Sequence, residues 1–426
     1  MKILIKGILI CAACISDTDC GSDNSGKPRN IYKNSFTFAY FRDIIIKKQK
    51  QTETDIMAKT VIFGDGSTEN ELWSHLSESG KPIIIYGMGN GADKIIAVLE
   101  ERGMRAADFF ASDGFVRGQL FHGKRVLSLS EVKEKYTDFI ILVAFGSHLP
   151  EVCGAIRRLN EQYELYAPDV PVAGKELFDA DYYEANKVRF ECARVLLADE
   201  HSRFVFDCVI KYKLSGKISC LAACESEQEN DMRAIFPDDF TAYCDLGAYI
   251  GDTLKSTLSL YRGIKKAVAF EPSAKVCAKL AAYAQTLDME TRVCNLAAWD
   301  KREELSFADG AARNSIVTAV NDKALSGAKM RAVTGDTLDA NCDFAGEKLY
   351  IKYDVEGAEE RALAGSRRII GENEVSLLIS AYHRSSDLFR LVEIAHEMLP
   401  QHKIYLRKHP YIPAWDINLY VSERGE

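Results

Sequence analysis

The sequence predicts an α/β protein made of two blocks that a helical connector joins. Short apolar runs alternate with helical patterns in two separate stretches, about residues 60–171 and 241–421. Apolar runs this short, bounded by turns, are typical of parallel strands buried on both faces of a sheet. The last two runs are joined only by a loop that contains two prolines. They therefore predict an antiparallel hairpin at the end of the second sheet.

The first block has a glycine-rich turn after its first strand. Its strand candidates are Lys81–Tyr86, Ala107–Ala111 and Phe139–Phe145. The stretch from Gly87 to Ala92 nearly fits the G-x-G-x-x-G turn of dinucleotide-binding domains, and Asp113 stands near the expected acidic position. Two interpretations follow. The block either binds a nucleotide, a nucleotide sugar or NAD, or it is a Rossmann-like accessory domain without a cofactor that serves acceptor binding or assembly.

These patterns divide the chain into four predicted segments. Helical periodicity without proline or glycine runs from Tyr182 to Lys213 and predicts the connector. The first two segments are an N-terminal extension at 1–57, which is disordered or non-native, and a Rossmann-like accessory domain at 58–174. The helical connector at 175–240 and the second block at 241–426 follow. A weak signal-peptide pattern at Ile3–Ile15 is the alternative interpretation of the N-terminus.

Composition and charge limit the classes of partner. The chain has 426 residues, a net charge of −8 and 47% hydrophobic residues. That charge argues against nucleic acid, whose backbone requires a broad basic surface. No apolar run is long enough for a membrane span. Most of the twelve cysteines stand singly among apolar residues, which predicts reduced core thiols and no zinc site.

The second block carries a glycine turn at the end of its first strand. Its strand candidates are Ala242–Leu246, Ala267–Glu271, Arg292–Leu296, Leu349–Asp354, Val375–Ala381, Lys403–Arg407 and Asp416–Val421. Glycines in the turn Asp245–Gly251 allow close approach of a ligand to the N–H groups of the following helix start. Glu271 ends the next strand about twenty residues later, where a carboxylate accepts hydrogen bonds from both ribose hydroxyls. Together they predict a nucleoside site.

Other polar residues end neighbouring strands of the same predicted sheet. Asn295 follows the third strand, and Asp354 follows the fourth. Ligands of open α/β sheets bind outside the carboxyl ends of the strands, so that these residues should converge with Asp245 and Glu271.

The second block resembles the FkbM-type family of class I, Rossmann-like methyltransferases. The resemblance rests on Asp245–Thr253, Phe270–Pro272, Asn295–Asp300, Thr337–Asp339 and Ile351–Glu359, and it covers about residues 241–421. It implies a seven-stranded sheet whose last strand is antiparallel. It also implies transfer of a methyl group from S-adenosylmethionine to a hydroxyl of a saccharide or small metabolite, in the cytoplasm, where that cofactor is available.

The predicted cofactor site lies around the glycine turn and the next two strand ends. Its residues are Asp245, Gly247, Ala248, Tyr249, Gly251, Asp252, Thr253, Glu271, Pro272, Asn295 and Ala297.

The predicted catalytic residues are His383, Asp354, Glu356 and Lys352. Methylating an alcohol requires removal of its proton, and histidine has the most suitable ordinary pKa for that step. The family commonly has Glu-x-His after the fifth strand, but Ser380-Ala381-Tyr382-His383 stands here, so the acidic partner of the histidine is missing. No Asp-Asn pair follows that strand, which favours a reaction without a metal. His396, His402 and His409 are expected at the surface without a function.

Two other functions remain open at this point. The missing acidic residue is compatible with a nucleotide-binding or scaffold protein that has lost catalysis. The glycine-rich turn of the first block is compatible with an NAD-dependent, sugar-modifying oxidoreductase.

Overall fold

The computed structural model describes residues 60–62, 68–308, 316–319 and 330–423. The predicted N-terminal extension, with its alternative signal-peptide interpretation, lies outside these residues. Residues 58–426 form one compact unit, and the boundaries at residues 174 and 240 stay predictions.

The first block contains a parallel sheet with helices on both sides. Its elements are β1 (Thr60–Ile62), β2 (Thr68–Asn70), α1 (Leu72–Ser79), β3 (Ile83–Tyr86), α2 (Asn90–Glu101), β4 (Asp108–Phe110), β5 (Leu120–Phe121), β6 (Lys124–Arg125), α3 (Leu129–Lys135), β7 (Ile140–Val143), α4 (Pro150–Gln162) and β8 (Glu164–Tyr166). The sheet order is β4-β3-β7-β8, with every neighbouring pair parallel. The three predicted strands are present, and β8 is an addition to them.

The connector is a series of helices, α5 (Ala180–Leu196), α6 (Glu200–Ser215), α7 (Ile218–Ala222) and α8 (Gln228–Ile235). The helical pattern predicted at Tyr182–Lys213 is broken once, between α5 and α6. Asp199 causes the break, since its side chain accepts a hydrogen bond of 2.6 Å from the backbone N–H of Ser202 and so begins a new helix.

The second block alternates strands and helices before its final hairpin. Its elements are β9 (Ala242–Leu246), α9 (Asp252–Leu260), β10 (Lys266–Phe270), α10 (Ala274–Ala284), β11 (Glu290–Cys294), β12 (Ala297–Ala298), β13 (Glu303–Ala308), β14 (Ile316–Ala319), β15 (Met330–Asp336), α11 (Leu338–Asn341), β16 (Lys348–Tyr353), α12 (Glu359–Ala364), α13 (Arg367–Glu372), β17 (Glu374–Ser380), α14 (Asp387–Met398), β18 (Lys403–Lys408) and β19 (Ile417–Ser422).

The main sheet confirms the predicted architecture. It has seven strands in the order β11-β10-β9-β16-β17-β19-β18. Among these seven described strands, β19 alone runs opposite in direction to the other six, and it forms the predicted hairpin with β18. A second, four-stranded sheet of order β12-β15-β13-β14 is inserted between β11 and β16, and the sequence pattern did not predict it.

Burial follows the apolar runs. The strands β9, β16 and β17 are buried along almost their whole length, as expected for the centre of a sheet covered on both faces. The nine described cysteines are free thiols, and most of them are buried. None of the described helices combines the length and the apolar character that crossing a membrane requires.

Candidate active site

A cavity of 690 Å³ opens at the carboxyl ends of the central strands of the seven-stranded sheet. Its wall includes Gly247 after β9, Glu271 after β10, Asp354 after β16 and Tyr382 after β17. This is the edge at which open parallel sheets bind ligands, and the volume lies within the usual range for small-molecule sites.

The glycine turn after β9 packs directly against the end of β16. Gly247 has a φ of +87°, and a Cβ atom there would lie 1.9 Å from the carbonyl oxygen of Asp354. The backbone N–H groups of Gly247 and Ala248 both donate to the carbonyl oxygen of Phe270, at 3.1 and 2.9 Å. These two N–H groups are therefore used within the fold, and the N–H groups of the helix start, near Asp252 and Thr253, stay the predicted ligand contacts.

A buried ion-pair chain runs beneath the turn from Asp245 to Asp354. Asp245 is fully buried, and its carboxylate accepts a hydrogen bond of 2.7 Å from the hydroxyl of Thr253. The ammonium of Lys352 lies 3.4 Å from a carboxylate oxygen of each aspartate. Burial opposes the charge on Lys352, but the two carboxylates outweigh it and raise its pKa. Lys352 therefore couples the turn to Asp354.

Glu271 is a buried carboxylate in the wall of the cavity. Its side chain accepts a hydrogen bond of 2.7 Å from the N–H of Ser273, and only 7% of the residue is exposed. Burial raises the pKa of Glu271 to about 7. Asn295 donates from its amide to the carbonyl oxygens of Glu271 and Pro272, at 2.9 and 3.0 Å. Asn295 therefore holds the backbone beside Glu271 by hydrogen bonds and is not part of the cavity wall.

The predicted cofactor residues divide into two groups. Those that line the cavity are Gly247, Tyr249, Asp252, Thr253, Glu271, Pro272 and Ala297, whereas Asp245, Ala248, Gly251 and Asn295 are not part of its wall. The structure adds an apolar side wall that sequence reasoning did not select, formed by Val276, Leu296 and Ala298. An apolar wall beside a buried carboxylate fits the base and the ribose of a nucleoside.

Asp354 and Glu356 bring two more carboxylates into the cavity. Asp354 accepts a hydrogen bond of 3.2 Å from the hydroxyl of Tyr382. Glu356 lies in the cavity wall with a φ of +56°, a backbone conformation that residues with a side chain rarely adopt.

His383 lies behind these carboxylates and is fully buried. Its Nε2 is 3.6 Å from an oxygen of Asp354 and 3.6 Å from an oxygen of Glu356. Its Nδ1 is 2.9 Å from Glu359 on α12. The acidic partner that the sequence lacks near His383 is thus supplied by another element.

The electrostatics of this cluster distinguish the predicted catalytic groups. Burial opposes the charge on His383, but the surrounding carboxylates outweigh it and raise its pKa to about 10. Burial raises the pKa of Glu356 to about 8, with His383 acting in the opposite direction. Burial also opposes the charge on Asp354, yet Lys352 and His383 hold its pKa below the usual range. At neutral pH, His383 is a cation and Asp354 an anion, whereas Glu356 is poised to exchange a proton.

Glu359, His383 and Asp387 also form the kind of cluster that can hold a metal ion. One ligand atom from each lies within 4.8 Å of the others, and all three residues are buried. The carboxylate of Glu359 already accepts hydrogen bonds from the N–H groups of Val355 and Gly357, at 2.9 and 3.3 Å. Together with the cationic state of His383, these bonds favour an internal ion pair in which Glu359 holds the turn after β16.

The far end of the cavity contains residues that sequence reasoning missed. His409 was expected at the surface, but it is 2% exposed and lies in the cavity wall with Asp416. Its Nδ1 is 3.3 Å from the carboxylate of Asp416, and its Nε2 is 3.1 Å from the hydroxyl of Tyr420. These partners allow burial of a polar ring that its proline-rich sequence context would place at the surface.

The sheet order and the cavity at its carboxyl edge define the class I methyltransferase fold. The methyltransferase FkbM from Methylobacillus flagellatus KT is similar to this chain, with a TM-score of 0.61, 20% identity and coverage of 90% of this chain and 98% of that one. The predicted resemblance to the FkbM-type fold is therefore confirmed, and the likeness extends over most of the first block as well.

Two other solved structures are more distantly similar. A putative rRNA-methylase from Clostridium thermocellum has a TM-score of 0.29, 8% identity and coverage of 46% of this chain and 94% of that one. The magnesium protoporphyrin IX methyltransferase from Synechocystis PCC 6803 has a TM-score of 0.24, 12% identity and coverage of 57% and 94%. No protein-family model and no curated protein matches the sequence.

Proposed function

We propose that this protein is an S-adenosylmethionine-dependent methyltransferase that methylates a hydroxyl group of a saccharide or another small metabolite. The observation that carries the proposal is the placement of Glu271 and the pair Asp354–Glu356 in one cavity at the carboxyl edge of the sheet. Glu271 suits a nucleoside cofactor, and the pair Asp354–Glu356 suits proton removal from an acceptor.

The cofactor end fits S-adenosylmethionine in shape and charge. The buried carboxylate of Glu271 suits two ribose hydroxyls, and the apolar wall of Val276, Leu296 and Ala298 suits an adenine ring. When bound, the cofactor supplies the methyl group that the acceptor oxygen takes in an in-line displacement. Its sulfonium charge is compatible with the carboxylates of Asp354 and Glu356 in the same wall.

At the acceptor end, we assign proton removal to Glu356. A general base works best when its pKa is close to the working pH, and that of Glu356 is about 8. Asp354, held as an anion by Lys352 and His383, orients the acceptor hydroxyl or the turn that carries Glu356. His383 is a positioning residue, since it is buried behind both carboxylates and holds them with its positive charge.

The small-molecule acceptor and the cytoplasmic location belong to the same proposal. Among the described residues that line the cavity, six are acidic and one, Lys352, is a lysine or arginine. This charge and the net charge of the chain favour a small acceptor over nucleic acid. The reaction is proposed to be independent of metal, so that a chelator should leave the rate unchanged.

Replacing Glu271 tests the cofactor end. Glu271→Ala should weaken binding of S-adenosylhomocysteine by about 30–150-fold, which corresponds to losing about 2–3 kcal/mol from hydrogen bonds to a charged group. Isothermal titration of the full chain measures this, with the exposed Glu290→Gln on β11 as the control. A wild-type chain that does not bind S-adenosylhomocysteine would refute the proposed function.

The same titration has a predicted pH dependence. Ribose hydroxyls donate to the ionised carboxylate, and the pKa of Glu271 is about 7. The affinity should therefore be constant well above pH 7 and should fall by up to about tenfold per pH unit below it. Glu271→Gln carries no titrating group and should remove this dependence, leaving a weak and flat profile.

Replacing His383 tests its positioning role. His383→Gln removes a positive charge 3.6 Å from Glu356, so that the pKa of Glu356 should rise by about 1–3 units. The rising limb of the activity profile should move to higher pH by the same amount. Methyl transfer measured from pH 6 to 10 checks this, with the exposed His201→Gln as the control. An unshifted profile would contradict the assignment.

A further inference from the structure

The acceptor end of the cavity is closed by two segments that are far apart in the sequence. One is the hairpin loop between β18 and β19, residues 409–416. The other is residues 146–150 of the first block, between β7 and α4. They pair through two backbone hydrogen bonds. The N–H of Ser147 donates to the carbonyl oxygen of Ile412 at 2.8 Å, and the N–H of Ile412 donates to the carbonyl oxygen of Ser147 at 3.0 Å.

Three aromatic rings lie along this junction and face the cavity. They are His148 from the first block and Tyr411 and Trp415 from the loop, here called the aromatic wall. The ring centroids of His148 and Tyr411 are 5.6 Å apart, and those of Tyr411 and Trp415 are 5.4 Å apart. A Cβ atom on Gly146 would lie 2.4 Å from the ring of Trp415. The first block therefore sets the position of the Trp415 ring.

The hairpin loop is held in this shape by buried polar contacts. Lys408 is fully buried, and its ammonium donates to the carbonyl oxygens of His409 and of Tyr411. The N–H of His409 donates to the carbonyl oxygen of Asp416 at 3.0 Å, and the amide of Asn418 donates to the carboxylate of Asp416 at 2.7 Å. A wall that is ordered before the ligand arrives loses little entropy on binding.

A second contact ties the first block to the residues beside the proposed base, Glu356. The N–H of Ala173 donates to the carbonyl oxygen of His383 at 2.8 Å, and a Cβ atom on Gly357 would lie 2.4 Å from the Cβ of Ala173. Val172 is part of the cavity wall. Residues before the methyltransferase sheet thus contact both the base end and the aromatic wall.

The charge of the wall limits which acceptors it can hold. Asp416, which follows Trp415 in the chain, and Glu227 line the same cavity as the aromatic wall, as do Asp354 and Glu356. The cavity-lining ammonium of Lys352 is already shared by Asp245 and Asp354. A phosphate or carboxylate on the acceptor would meet repulsion in a partly buried site, whereas hydroxyl groups can donate to these oxygens.

Building on the proposed function, we propose that the first block completes the acceptor site, and that this site takes a hydroxylated ring without phosphate or carboxylate groups. The apolar face of the ring packs on Trp415 and Tyr411, and its hydroxyls donate to Asp416 and Glu227. The first block then acts in acceptor recognition, and nucleotide sugars and sugar phosphates are excluded as acceptors.

The test measures acceptor binding directly, without requiring methyl transfer. Saturation-transfer NMR with the full chain would compare neutral methyl glycosides with the corresponding sugar 6-phosphates and glycuronides, with and without S-adenosylhomocysteine. We expect a neutral glycoside to bind and its charged counterparts to bind at least about tenfold more weakly. Equal or tighter binding of the charged sugars, or no binding by any glycoside, would overturn the proposal.

A glycine pair in the first block tests its contribution. Gly146→Ala forces the Trp415 ring to move, whereas Gly114→Ala adds a methyl group where no atom lies within 4 Å. We expect Gly146→Ala, like Trp415→Ala, to weaken binding of the neutral glycoside by about tenfold, which is the size of effect expected from losing one aromatic contact. Trp415→Phe should retain most of the binding. Gly114→Ala should leave glycoside binding unchanged, and all of these variants should keep the wild-type affinity for S-adenosylhomocysteine.

The outcomes separate the two proposals. If S-adenosylhomocysteine binds but Gly146→Ala leaves glycoside binding unchanged, the role of the first block is wrong and the methyltransferase proposal stands. If S-adenosylhomocysteine does not bind, the proposed function is wrong, while glycoside binding still decides whether the aromatic wall is an acceptor site.

Discussion

Glu356→Gln is expected to lower kcat by about 10²–10⁴-fold, the usual contribution of a positioned general base. Glutamine keeps the size of the side chain but cannot take the proton of the acceptor hydroxyl. Binding of S-adenosylhomocysteine should change little, since the proposed cofactor contacts lie around Glu271 and the glycine turn. The measurement is the rate of methyl transfer at saturating cofactor and acceptor.

The pH profile of the wild-type enzyme belongs to the same prediction. A base must be ionised to accept a proton, and the pKa of Glu356 is about 8. The rate should therefore rise with pH up to about 8 and level off above it. The matched control is Glu360→Gln, because Glu360 lies on α12 in an exposed ion pair with Arg390. This variant should keep both the rate and the pH profile of the wild type. A Glu356→Gln variant with a rate near that of the control would reject Glu356 as the base.

The sheet and the cavity end to which we assign the cofactor were predictable because their signals are local. The apolar runs define the strands, and the proline-containing loop before Asp416 defines the hairpin. The turn at Gly247 and the carboxylate of Glu271 stand at strand ends, and every strand end of a parallel sheet points to one edge. Their meeting in one cavity follows from the topology alone.

The acceptor end was not predictable because it depends on contacts between distant parts of the chain. No local pattern indicates that Gly146 meets Trp415 or that Glu359 pairs with His383. The polar context of His409 suggests a surface position, and its burial is explained by distant partners that include Asp231, Asp416 and Tyr420. In the same way, no local pattern indicates that His148, Pro150 and Val172 of the first block line the cavity, whereas the glycine-rich turn at 87–92 is not part of its wall.

Gly247→Ala is expected to have the largest effect at the cofactor end. The added Cβ atom would lie 1.9 Å from the carbonyl oxygen of Asp354, a backbone atom that cannot move by itself. The end of β16 must then separate from β9, which breaks the hydrogen bond of 3.0 Å from the N–H of Asp354 to the carbonyl oxygen of Leu246. Asp354 and Lys352 would move with it. Binding of S-adenosylhomocysteine should weaken by at least about 100-fold.

Gly346→Ala separates this clash from the cost of the backbone conformation. Gly346 has a φ of +69°, but no atom lies within 4 Å of an added Cβ. Both variants should lose about 1–3 kcal/mol of unfolding free energy from a non-glycine residue at positive φ. Only Gly247→Ala should also lose cofactor binding and a further part of its thermal stability. Equal melting temperatures and equal affinities for the two variants would mean that the close approach of the turn to β16 is not required. The cofactor site would then tolerate movement between the two strands, and the coupling assigned to Lys352 between Asp245 and Asp354 would have to be abandoned.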